Sequence, residues 1–103
     1  MKRYGKVRTV PYKLVQIEWE DSARPIPSWQ WIGDYEIPLT VTCISVGFLI
    51  AETKQALALA PNLGDIGREQ IQASGIIRIP KSAIRSRAVL AQSATSNRST
   101  TPQ

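Results

Sequence analysis

Tyr12-Lys13-Leu14-Val15-Gln16-Ile17-Glu18-Trp19-Glu20 alternates apolar and polar side chains with a period of two. Val15, Ile17 and Trp19 fall on one side, and Gln16, Glu18 and Glu20 on the other. That is the pattern of a strand with one wet face. Working outward, residues 41–51 form a longer β-branched and apolar run, with Thr42, Ile44 and Val46 opposite Val41, Cys43 and Ser45. Gly47 inside this run predicts a bulge or bend, a device that curls a sheet. Glu52-Thr53-Lys54-Gln55 reads as a polar turn, and residues 56–60 follow as a strand with Leu57 and Leu59 on one face. Pro61-Asn62-Leu63-Gly64-Asp65 stops it. Residues 75–79 and 83–90 supply the last two strands, separated by Pro80-Lys81-Ser82. The alternative over residues 49–59 is an alanine-rich helix, because Ala, Leu, Gln, Lys and Glu are good helix formers. Five short strands with hairpin turns predict an all-β fold, a small half-open five-stranded barrel.

The charges sort into three blocks. Residues 1–13 hold five bases and no acid; residues 14–75 hold all eight acids and three bases, a net of −5; residues 76–103 return five bases and no acid. Basic ends around an acidic body predict an anionic partner held by the ends, or head-to-tail contact between copies. At 43% hydrophobic and 20% charged, the chain reads as one globular domain over residues 11–91. Residues 1–10 are expected to form a basic N-terminal arm, and residues 92–103, rich in Ser, Thr, Asn and Gln, a disordered polar tail.

The longest apolar run, residues 46–51, is too short to span a bilayer, so no membrane association is expected. The basic opening has no apolar core behind it, so it does not read as a signal peptide. The single cysteine, Cys43, excludes an internal disulfide and fits a reducing cytoplasm.

Gly47-Phe48-Leu49, Leu57-Ala58-Leu59 and Gly75-Ile76-Ile77-Arg78-Ile79 followed by Ile84 resemble the two-part pattern of Sm-like proteins, over roughly residues 41–90. The resemblance implies an SH3-type five-stranded barrel, ring assembly and RNA binding. The family's RNA pocket needs an Asp and an Asn where this chain has Thr53 and Leu57, and its Arg-Gly pair reads Arg78-Ile79. The barrel therefore carries over and the uridine-reading pocket does not. Residues 10–90 also look similar to short bacteriophage and prophage proteins of no assigned activity. Ser45-Val46-Gly47, Leu59-Ala60-Pro61-Asn62 and Gly75 with Ile79-Pro80 carry that likeness. It implies the cytoplasm of a bacterial host, and no mechanism.

The inventory of reactive groups is thin. The chain has no histidine, which removes the commonest general base and metal ligand. One cysteine without histidine does not make a zinc site, and Cys43, in mid-strand, reads as a packed thiol. Glu18 and Glu20 share a strand face with Asp21 at its end. They read as a solvated, edge-guarding face, against the alternative of a hard-cation site. Gly64-Asp65-Ile66-Gly67 lacks the spacing of a phosphate-binding loop and reads as a turn. No catalytic residue and no cofactor is expected, and an enzyme is the third-ranked reading.

Two constellations remain. Trp29-Gln30-Trp31 lies in a long Pro-rich loop over residues 24–38, with Arg24 and Tyr35. On an extended backbone the two indoles point the same way, about 7 Å apart, with room for a flat group. They serve either base stacking or the capping of a small barrel's open end. Arg85 and Arg87 alternate on the last strand, with Lys81 and Arg78 extending the set. They form a cation-guarded edge or an anion site. The expectation is a non-enzymatic, homo-oligomeric binding protein. Arg78, Lys81, Arg85 and Arg87 would hold the phosphates of a nucleotide or nucleic acid, and Trp29 and Trp31 its bases. The alternative is an adaptor or inhibitor of a host protein, in which the tryptophans anchor a protein partner.

Overall fold

Apolar side chains recurring every second residue give strands throughout the computed structural model, which describes residues 8–22 and 25–92. The elements are β1 (Leu14–Asp21), β2 (Val41–Glu52), β3 (Ala56–Ala60), β4 (Asn62–Gly64), β5 (Gln72–Ser74), β6 (Ile77–Pro80) and β7 (Ile84–Ala91). A five-stranded antiparallel sheet runs in the order β6-β3-β2-β1-β7, and β4 and β5 form a separate two-stranded ribbon. The fold is all-β, as expected. The sheet is open: β6 and β7 are its two edges, joined by one turn of 3-10 helix at Lys81–Ala83.

The core lies on the face that β1 sets. Val15, Ile17, Leu57, Leu59 and Ile79 are buried, with Trp19, Leu49 and Ile84 packed at the margin. Each buried side chain of this size contributes roughly 1.5–3 kcal/mol. Opposite the large residues of β1, the inward positions of β2 are small: Trp19 pairs with Cys43, Ile17 with Ser45 and Val15 with Gly47. Trp19 Nε1 donates to Ser45 Oγ at 3.0 Å, which satisfies the indole where it is half-buried.

Gly47 was expected to mark a bulge or bend; it is not a bulge, because it sits in register opposite Val15. Its role is close approach. A Cβ there would meet the Ala60 carbonyl oxygen at 3.1 Å and the Leu59 Cβ at 3.2 Å. The register of β2 breaks instead between Leu49 and Ala51, where Ile50 is the extra residue. Two further breaks fall in the pairing of β1 with β7, leaving Arg85 and Leu90 unpaired.

The helical alternative over residues 49–59 is not adopted. Thr53 Oγ1 accepts from the Gln55 and Ala56 amides at 3.2 Å, and the Thr53 amide donates to the Ala56 carbonyl at 2.8 Å. That turn makes β2 and β3 a hairpin. β3 ends at Ala60, where the stop was expected, but Asn62–Gly64 then forms β4, which was not expected. Asp65 (φ 58°) and Gly67 (φ 89°) reverse the chain, Gln72 hydrogen-bonds Asp65, and β5 returns alongside. Most of the expected basic arm (residues 1–7) and of the polar tail (residues 93–103) lies outside the described residues.

Candidate functional site

Between β1 and β2 the chain leaves the sheet as an arm. Pro25, Pro27 and Pro38 remove backbone donors and fix φ, which keeps these residues out of a regular ladder. The only backbone–backbone hydrogen bonds within described residues 25–40 close a 3-10 turn at Ile32–Asp34. Asp34 N donates to Trp31 O at 3.1 Å, and Tyr35 N to Ile32 O at 3.2 Å. The arm's root is held by Glu20, whose Oε1 accepts from Thr40 Oγ1 at 2.8 Å and whose Oε2 accepts from Thr42 Oγ1 at 2.9 Å. Those two hydroxyls, with a smaller effect from Arg85, hold the Glu20 carboxyl below its ordinary pKa of 4.5. Glu20, read from the sequence as part of a solvated acidic face, thus secures the loop entrance.

Every described residue of the arm is exposed. Trp29 is 100% accessible, Trp31 84%, Ile32 91%, Ile37 86% and Leu39 94%. The tryptophans therefore do not cap the sheet, which was one of their two expected roles. Trp29, Gln30 and Trp31 border a common cleft of about 310 Å³. A larger, shallow cleft of about 640 Å³ has Ile26, Trp29, Tyr35 and Ile37 among its walls. Among the described residues no basic side chain lines either cleft; Arg24 is not one of the described residues. On the outer face of β2, Ile44 and Val46 are also exposed.

Of the four cations expected to act together, Lys81 and Arg87 meet on Glu52, while Arg85 and Arg78 are not part of that cluster. Lys81 Nζ lies 2.7 Å from Glu52 Oε2, and Arg87 grips both oxygens of the same carboxylate, at 3.1 Å and 3.3 Å. Arg87, then Lys81, lowers the Glu52 pKa from 4.5 to about 2. With the Lys81 amide bonded to Gln55 O at 2.8 Å, this cluster ties the end of β2 to the turn and to β7. Arg85 does not share the face of Arg87. It is the extra residue of a bulge, and its Nη1 donates to Ser82 O at 3.3 Å. Arg78 stands on β6, the other edge strand, exposed and paired with Ala58. Glu52 carried no sequence signal beyond turn polarity, because its arginine partner is 35 residues away.

No family model, curated protein or solved structure matches this chain.

Proposed function

We propose that this protein is a non-enzymatic protein-interaction module that docks through the arm between β1 and β2. The observation that carries this is the accessibility of Trp29, Trp31, Ile32, Ile37 and Leu39 on one short segment. Soluble monomers rarely leave such apolar groups together in water, and buried aromatic anchors dominate protein interfaces. The strand order, with a 3-10 turn before the last strand, supports reading the scaffold as a small SH3-type barrel of the Sm-like kind, curled and unclosed. The reading as a nucleotide or nucleic-acid binder uses the same tryptophans. It is less well supported, because Lys81 and Arg87 are engaged by Glu52 and no described cation lines the tryptophan clefts.

A photo-crosslinking residue in place of Ile37, introduced in the protein's own host, tests the reading. The expected product is a protein–protein adduct that disappears when Trp29→Ser and Trp31→Ser are added. In parallel, labelled single strands and mono- and dinucleotides are titrated at low and high salt. Salt-sensitive binding that Arg85→Ala with Arg87→Ala weakens would instead establish the nucleic-acid function.

A further inference from the structure

Resting on the reading of the arm as a docking element, we infer that its occupant is the β7 edge of a second copy of this chain. Arm and edge are complementary in charge. The described arm carries Asp34 and Glu36 and no base, and Glu20 and Asp21 stand at its root. The edge strand carries Arg85, which Glu52 does not engage as it does Arg87, and no acid occurs anywhere after Glu69. They are complementary in polarity as well: beyond Ile84 every residue of β7 is exposed, including Val89 and Leu90.

Their backbones also match. Among the described residues β7 pairs only with β1, so its other side offers amides and carbonyls that no described strand takes up. On the arm, residues 36–39 take part in no backbone–backbone hydrogen bond with another described residue. An added strand presents alternate residues to the ladder. With Ile37 and Leu39 facing β7, Pro38, which has no amide hydrogen, faces away, the position an edge strand tolerates.

The edge must belong to another molecule. Thr40 is fastened to Glu20, and β2 is separated from the free side of β7 by β1 and by β7 itself. Adjacent strands lie about 4.8 Å apart, so Leu39, one residue from that anchor, does not reach the free side of its own β7. Exchanged reciprocally, arm for edge, this contact closes a two-fold dimer; passed on head to tail, it builds a ring or a filament.

The full chain is tested by sedimentation at low and high salt. The expected result is a concentration-dependent assembly that dissociates as salt rises. Trp31→Ser and Arg85→Glu should each weaken it by roughly tenfold or more, and Glu36→Arg should restore association to the Arg85→Glu chain. In a Cys43→Ser background, a Leu39→Cys chain mixed with a Leu90→Cys chain should form a disulfide heterodimer on mild oxidation, while neither chain alone does. A wild-type chain that stays monomeric at high concentration and low salt overturns the inference, as does an assembly unchanged by Trp31→Ser and Arg85→Glu. If the purified chain is monomeric while the arm crosslinks to a different protein in its host, self-docking fails and the interaction function stands. If the arm crosslinks to no protein at all, both fail.

Discussion

Glu52 joins three parts of the chain, since it ends β2 and accepts from Lys81 in the turn and from Arg87 on β7. In the strand order β1 separates β2 from β7, and this carboxylate bridges those two strands through side chains. Its pKa is lowered from 4.5 to about 2 by Arg87 and then Lys81. A carboxylate with a depressed folded-state pKa stabilises fully above its unfolded value, and that stabilisation is lost as pH falls through the folded value. The tie should therefore weaken between pH 4.5 and about pH 2. Because the groups are about one-third exposed, solvent screening limits the contribution to about 1 kcal/mol. Urea midpoints of wild type and Glu52→Gln should differ near neutral pH and converge in acid. Midpoints that run parallel across that range would show that the tie adds no stability.

At the scale of elements, the arm and the sheet are separable. No described residue of the arm belongs to the core, and among the described residues only the Thr40 hydroxyl at its root hydrogen-bonds the sheet. Replacing residues 26–39 by a short glycine turn should shift unfolding free energy by no more than about 0.5 kcal/mol while abolishing partner binding. Thermal melting and sedimentation of the shortened chain check both halves of this expectation. A collapse in melting temperature would mean that the arm packs on the sheet.

The strands were legible in the sequence where a single pattern governs them. β1 alternates because one face is core and the other is wet, and Leu57 and Leu59 repeat that logic in β3. The ribbon of β4 and β5 was not, because three-residue strands are too short for periodicity to register. The tryptophans were recognised as a candidate site, while Ile32, Ile37 and Leu39 were not, since nothing local distinguishes an exposed aliphatic residue from a core one. The common face expected for Arg85 and Arg87 was lost for a related reason. A strict alternation places Arg85 with Arg87, and one unpaired residue in β7 undoes that parity.

For the whole molecule, the position of β1 has a topological consequence. It lies inside the sheet, held by β2 on one side and β7 on the other, while the segment that follows it stands in solvent. Covalent continuity through the arm is therefore dispensable once the sheet has formed. A chain cleaved by limited proteolysis near Trp31 should migrate as one particle on a native gel and as two fragments under denaturing conditions. Fragments that part under native conditions would show that β1 is not retained by pairing alone. The first 30 or so residues thus behave as a detachable strand, and the remainder as a receptor with a slot one strand wide. In effect, this small chain can be expressed as two polypeptides that reconstitute each other.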